Sequence, residues 1–210
     1  MYFDVDLSGS FFIHNAQLCI LPEQTGAIVL PSAIPELKAV DEIIIDADEY
    51  RSTLDTLRGI KEKCNNPTNL KCNSCGLSNK SICIMKLFMT NPMYRPSPHQ
   101  GGEFGDISFS VTLNGYSQEL VGIAKSAIKG KDVLTRSESS GRDMIQQVFS
   151  ATHDARIGIV ASICPMRFHD QLVEDLRYLA ILTGKPIVIL DEMFMIKQLK
   201  AYNTSRLACR

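Results

Sequence analysis

The chain has 210 residues, of which 45% are hydrophobic and 21% are charged, and its formal net charge is −1. This composition excludes a disordered chain, which would carry fewer apolar residues and a larger net charge. A net charge this small also means that any nucleic-acid-binding surface must be local. No apolar run approaches the roughly 18 residues needed to cross a bilayer, and no signal-peptide pattern opens the chain. We therefore expect a soluble cytoplasmic protein with no membrane partner.

Residues 1–63 are predicted to form a β-rich segment followed by a helix. Turn-forming residues separate four short stretches with strand character: Tyr2 to Leu7, Phe11 to His14, Gln17 to Leu21 and Ala27 to Leu30. Apolar residues at helical spacing then predict a helix over Glu49 to Lys63. We expect the strands to form a small antiparallel meander, with the helix leading into the next segment.

Residues 64–98 contain a cluster of cysteines in a polar, loop-rich stretch. Its four cysteines are Cys64, Cys72, Cys75 and Cys83. The central C-x2-C spacing lets one tight turn present two sulfurs to a tetrahedral ion. This pattern predicts a structural zinc site. An iron-sulfur cluster is the main alternative, and unpaired structural cysteines are a third interpretation.

Residues 99–210 show the regular alternation of an α/β domain. Strands are predicted at Ile107 to Leu113, Leu120 to Lys125, Ile157 to Ser162 and Pro186 to Leu190, and helices at Arg142 to His153, His169 to Leu182 and Met193 to Tyr202. The last two strands are nearly continuous in apolar residues, which is typical of strands covered on both faces. The order of elements predicts a partly parallel sheet between helices.

Two strand-end residues in this domain carry a family resemblance. The segment "GGEFGDISFSV" has Asp106 at a strand entrance, and "LVGIAKS" has Lys125 at the end of the next strand. With the tail "LTGKPIVILDEMFMIKQLKAY", this order resembles the restriction-endonuclease-like, or PD-(D/E)xK, superfamily, most closely its Mrr-type branch. The resemblance covers about half of the chain and implies a restriction-endonuclease-like sandwich, a mixed sheet with flanking helices, and a DNA endonuclease.

Phosphodiester hydrolysis explains why these residue types are wanted. A hard divalent cation, Mg²⁺ or Mn²⁺, held by oxygen ligands polarises the phosphate and acidifies a bound water. A nearby ammonium group stabilises the charge that develops in the transition state. The resemblance therefore implies that Asp106 binds the metal and that Lys125 assists.

One position departs from the family pattern. Two residues before Lys125, where the family has its second metal ligand, the chain has Ile123, whose aliphatic side chain cannot bind magnesium. We expect that the missing carboxylate comes from the following helix, with Asp143 narrowly favoured over Glu138. Glu103, on the glycine-rich approach to the strand, is a further candidate.

A basic segment follows Lys125. Residues 125–142 carry five positive and two negative charges in a Ser- and Gly-rich stretch that we expect to be flexible. Besides Lys125, the cationic residues are Lys129, Lys131, Arg136 and Arg142. Such a stretch is predicted to bind the phosphate backbone of DNA.

Two functions remain open from the sequence. The first is a metal-dependent DNA endonuclease. For this function, the family resemblance implies a role in defence against foreign DNA. The second is a catalytically inactive nuclease-like DNA-binding or assembly subunit, in which Ile123 marks a lost site. Domains of this kind act as homo-oligomers or as parts of larger complexes.

Overall fold

The computed structural model describes residues 11–14, 17–20, 28–64, 95–96, 106–125 and 130–208. Most of these residues lie in strands and helices. The strands are β1 (Phe11–His14), β2 (Gln17–Ile20), β3 (Ile28–Val29), β4 (Arg95–Pro96), β5 (Ile107–Leu113), β6 (Tyr116–Ala124), β7 (Val133–Leu134), β8 (Ile157–Ile163), β9 (Arg167–Phe168) and β10 (Ile187–Leu190). The helices are α1 (Pro35–Asp41), α2 (Ala47–Cys64), α3 (Ser139–Thr152), α4 (Asp170–Thr183) and α5 (Glu192–Ala208), and a 3-10 turn covers Pro31–Ala33.

Six of these strands form one mixed sheet in the order β3-β10-β8-β6-β5-β4. The strands β3, β10, β8 and β6 are mutually parallel, whereas β5 runs antiparallel to β6 and β4 antiparallel to β5. Strands β1 and β2 form a separate antiparallel pair, and β7 and β9 form a short parallel one. Because the parallel strands share one direction, their carboxyl ends lie at one edge of the sheet.

The hairpin between β5 and β6 follows directly from its turn residues. Asn114 and Gly115 both have positive φ, at 51° and 81°. An Asn-Gly pair in this conformation makes a two-residue turn whose twist matches that of the flanking strands. The turn fixes the register in which Ile107 lies opposite Gly122.

Helices cover both faces of the sheet, and each face has its own hydrophobic core. Buried residues of α1 and α5 pack with Leu120 and Ala124 of β6 on one face. Buried residues of α3 and α4 pack with Val121 and Ile123 on the other. Alternate residues of β6 thus point to opposite faces, and the sheet is the middle layer of an α/β sandwich.

Lysines on α5 tie the α1–α2 connection to the helix. The Lys197 ammonium group donates to the Asp41 carbonyl oxygen, and the Lys200 ammonium group donates to the Ile44 carbonyl at 3.0 Å and to the Glu49 carboxylate at 2.7 Å. The Tyr50 hydroxyl donates to the carboxylate of Glu192, which is buried at the start of α5. Helix α2 is therefore held to the core partly by polar contacts.

The α/β class and the mixed sheet flanked by helices are confirmed, and the strands and helices predicted between Ile107 and Tyr202 are present with shifted ends. The N-terminal prediction is wrong in one respect. Strand β3 is not part of an antiparallel meander, because it pairs in parallel with β10. Its buried Val29 joins the core together with Ile34 and Leu37. The stretch predicted at Tyr2 to Leu7 lies outside the described residues.

Candidate active site at the carboxyl rim of the sheet

Asp106 and Lys125 meet where β5 begins and β6 ends. The Asp106 amide donates to the Gly122 carbonyl at 2.8 Å, and the Asp106 carboxylate accepts a bond from the Ala124 amide at 2.7 Å. The carboxylate is thus anchored to the residue directly before Lys125. The Lys125 amide in turn donates to the carbonyl of Ile163, at the end of β8, at 2.8 Å. We call this edge, where β6, β8 and β10 end and β5 begins, the carboxyl rim.

Strand alternation places Lys125 on the side of the sheet that α3 and α4 cover. Lys125 continues the series of Val121 and Ile123, which pack against α3 and α4. On β5, Phe109 packs in the opposite core with Val111 and Leu113, and Asp106 directly precedes the strand. Lys125 is partly exposed and makes no ion pair within the part of the chain that the structure describes. Its ammonium group is therefore available to solvent and to a ligand.

Ile123 is a core residue. Its side chain is 1% exposed and packs beneath α3, in one cluster with Met144 and Val148. A carboxylate here would lose its hydration, which costs several kcal/mol unless it is compensated. Ser162 is opposite Ile123 on β8, and its buried hydroxyl has no hydrogen-bond partner in the described ranges. The position two residues before Lys125 is therefore used for packing.

The predicted replacement carboxylates lie on and just before α3. Glu138 is the N-cap residue of α3, and one of its oxygens is 3.7 Å from the Lys131 ammonium. Its other oxygen is buried and accepts no hydrogen bond from any described residue. Asp143 is exposed one turn into the helix. Glu103 lies outside the described residues.

The donors of the carboxyl rim limit the kind of metal that could bind there. Among the described residues, no three histidine, cysteine or acidic side chains converge on a point that could hold a metal ion. Mg²⁺ is commonly held by only one or two carboxylates, with waters and substrate phosphate completing its octahedron. A carboxylate such as Asp106 is the ligand type that this mode of binding uses.

Part of the basic segment forms regular structure, although its composition predicted a flexible stretch. Its described part, residue 125 and residues 130–142, includes β7, which pairs with β9 in the loop after β8. Lys131 approaches Glu138, and Arg136 lies 3.3 Å from the Asp175 carboxylate on α4. Arg142 is exposed in the first turn of α3, and Lys129 lies outside the described residues. Two of the predicted DNA-binding cations are therefore engaged by acidic neighbours.

Gly141 fixes α3 against this segment. A Cβ built on Gly141 would lie 2.0 Å from the Thr135 carbonyl oxygen and 3.2 Å from the Arg136 Cα, both of which are backbone atoms. Only glycine permits that close approach. The first turn of α3, with Arg142, is consequently pressed onto the chain that carries Arg136.

The structure describes only part of the cysteine segment. Cys64 is the last residue of α2, so the helix leads directly into the segment as predicted. Cys72, Cys75 and Cys83 lie outside the described residues. Residues 126–129 of the basic segment also lie outside them. The zinc prediction therefore stays a prediction. Cys164, directly after β8, is buried in the core.

Two strands at the carboxyl rim have only a weak signal in the sequence. Strands β7 and β9 have two residues each, too few for a periodic pattern to identify. Only the alternation of apolar Met166 and Phe168 with polar Arg167 and His169 suggests β9, and four residues make a weak signal. Arg167 was consequently not predicted as a site residue, although the structure brings it beside the basic segment.

Comparisons with protein-family models, curated proteins and solved structures found no significant match to this chain. Within the described ranges, every helix is too short or too polar to cross a lipid bilayer.

Proposed function

We propose that this chain is a metal-dependent DNA endonuclease with a restriction-endonuclease-like domain of the Mrr type. The observation that carries the proposal is the bond from the Ala124 amide to the Asp106 carboxylate, which joins the acid at the entrance of β5 to the residue before Lys125. An acid and a lysine on neighbouring strand ends are what cation-assisted phosphodiester hydrolysis requires. Defence against foreign DNA is the biological role that this class implies.

Each residue has a distinct part in the proposed reaction. Asp106 would hold Mg²⁺ or Mn²⁺, which when bound polarises the phosphate and acidifies a water. Lys125 would stabilise the negative charge that develops on the scissile phosphate. The half-buried Glu138, with one oxygen lacking a hydrogen-bond partner among the described residues, is better supported as an auxiliary ligand than the exposed Asp143. Glu103 remains the third candidate.

The proposal includes a structural metal in residues 64–98. Four thiolates at Cys64, Cys72, Cys75 and Cys83 would close a zinc coordination shell and leave no open position for chemistry. An iron-sulfur cluster would instead give absorbance near 400 nm in fresh protein. Residues 1–63 would then precede this module, and residues 99–210 would form the nuclease domain.

Plasmid cleavage tests the proposed site. The purified chain is incubated with supercoiled plasmid and Mg²⁺ or Mn²⁺, alongside Asp106→Asn, Lys125→Ala and the control Asp48→Asn, which changes an exposed acid on α2. We expect cleavage by the wild type and the control, and a loss of about 10²-fold to 10³-fold in each site variant. Cleavage that survives both site substitutions would refute the assignment.

The buried Ile123 favours a second function, a catalytically inactive DNA-binding or assembly subunit. In that case the fold would retain Lys125 and the basic segment for binding, as part of a homo-oligomer or a larger complex. The same assay separates the two functions. Binding of the plasmid without cleavage, in either metal and at any tested concentration, would support the inactive subunit.

A further inference from the structure

The loop after β8 runs alongside the basic segment. Val133 of β7 is paired with Arg167 of β9, and the Arg167 amide donates to the Asp132 carbonyl at 3.3 Å. The His169 amide donates to the Leu134 carbonyl at 3.0 Å. These bonds fix the backbone of Arg167 beside the residues that follow Lys131. Two loops that are distant in sequence therefore form one surface at the carboxyl rim.

Arg167 differs from the predicted cations in its surroundings. Lys131 approaches Glu138 and Arg136 contacts Asp175, so part of their charge is already compensated. Arg167 is exposed and makes no ion pair with any described residue. Its guanidinium can present two parallel N–H donors to one phosphate, which an ammonium group cannot do.

We propose that Arg167 contacts the phosphate backbone of duplex DNA, and that the DNA-binding surface consists of residues 130–136 together with the loop after β8. The proposal rests on the proposed function only in taking DNA as the ligand. Asp132 lies on the first of these segments, and Asp170 is the first residue of α4, directly after the second. The surface therefore offers local donors on a rigid backbone, which agrees with the chain's net charge of −1.

The position of Arg167 explains how such a contact would serve the site. Strand β8 ends at Ile163, whose carbonyl accepts the Lys125 amide, and Arg167 follows four residues later in the same connection. If the scissile phosphate of a duplex lay at Lys125, the neighbouring phosphates would lie next to the loop after β8. Arg167 would thus hold the backbone in register without touching the reacting atoms.

Fluorescence anisotropy with a short labelled duplex, without added Mg²⁺, tests the proposal. The variants are Arg167→Gln, which keeps much of the side-chain length but removes the charge, and Arg167→Lys, which keeps the charge but loses the fork. The control is Arg156→Ala, an exposed arginine just before the opposite end of β8. All proteins are first compared by circular dichroism and thermal melting.

We expect Arg167→Gln to raise the Kd roughly tenfold, the contribution of one charge-assisted hydrogen bond. The slope of log Kd against log salt should fall by about 0.9, the value for one lost phosphate contact. Arg167→Lys should restore that slope and only part of the affinity, while Arg156→Ala should match the wild type. A wild-type Kd and salt slope in folded Arg167→Gln would overturn the proposal, as would a wild type that binds no duplex at low salt. Binding that depends on Arg167 without cleavage would support this inference while refuting the nuclease.

Discussion

The two edges of the parallel sheet use charged residues in different ways. At the amino edge, Arg156 donates to both oxygens of the Asp154 carboxylate, at 2.7 and 3.1 Å, and the Lys185 ammonium group donates to the Asp154 carbonyl. At the carboxyl rim, the corresponding contacts are single and longer, or absent among the described residues, as at Lys125. Charges at the amino edge stabilise the fold, whereas Lys125 and Arg167 at the carboxyl rim make no ion pair with any described residue.

The pKa values of Asp154 and Lys185 reflect their close contacts at the amino edge. Hydrogen bonds from the Arg156 side chain hold the pKa of Asp154 at about 2, below its ordinary value of 3.8. Burial lowers the pKa of Lys185, and the charge of Asp154 partly opposes that effect. Groups with shifted pKa values are often found at functional sites. Here the Arg156 and Lys185 side chains both donate hydrogen bonds to Asp154. We interpret the amino edge as structural.

The largest effect on stability is expected at the carboxyl rim, from Gly141→Ala. The new Cβ would overlap the Thr135 carbonyl, so the first turn of α3 must move away from the basic segment. We expect a loss of about 2–3 kcal/mol in the free energy of unfolding, from which the better helix propensity of alanine recovers at most about 1 kcal/mol. Chemical denaturation measures this difference.

Gly158→Ala is the matched change near the amino edge. A Cβ there would lie 2.2 Å from the Gln118 side-chain oxygen, which is the mobile end of its side chain, and 2.9 Å from its Cβ. Because Gln118 can adjust in part, the loss should be the smaller of the two, about 1–2 kcal/mol. A greater loss for Gly158→Ala than for Gly141→Ala would reverse the comparison.

Asp154→Asn tests the amino edge through its pH dependence. A carboxyl group with a lowered pKa stabilises the folded state above its unfolded pKa, and that stabilisation is lost as the pH falls from about 4 to about 2. We expect the variant to be about 1 kcal/mol less stable at pH 7, since solvent screens an ion pair at the surface. The difference between variant and wild type should shrink below pH 4. A difference that stayed constant from pH 7 to pH 2 would show that Asp154 acts through something other than its charge.

The smallest expected effect concerns the ion pairs of the carboxyl rim. Asp175→Asn removes the partner of Arg136, which should free the guanidinium for phosphate and tighten duplex binding about twofold, because exposed pairs contribute little energy. Glu174→Gln, which releases Arg177 on the same helix, is the control. Anisotropy at low salt measures both. Equal affinities for Asp175→Asn and the wild type would indicate that Arg136 does not contact DNA.

Much of the fold could be predicted because long elements carry periodic patterns. The apolar run of β8 and the helical stripe of Leu172, Leu176 and Leu179 on α4 needed no tertiary information. The parallel pairing of β3 could not be predicted, since a two-residue strand has no periodicity and its partner β10 is far along the chain. Helix α1, which begins at Pro35 and has seven residues, also went unpredicted.

The candidate site was predictable only in part, for a similar reason. Asp106 and Lys125 stand at the ends of strands joined by a short hairpin, so their meeting follows from local sequence. Arg167 reaches the rim through pairing between two loops, and nothing in either loop alone indicates the other. The pairings of Lys131 and Arg136 with acids likewise depend on how α3 and α4 pack.

The edge position of β3 bears on the order in which the chain folds. The contact of Lys197 with Asp41 spans 156 residues, and the pairing of β3 with β10 spans a similar length. Closing so large a loop costs entropy before the contact returns any energy. During synthesis, β3 can pair with β10 only after the strands and helices between them have left the ribosome. The hairpin of β5 and β6 needs no such delay, and we expect it to be a nucleus on which the remaining strands assemble.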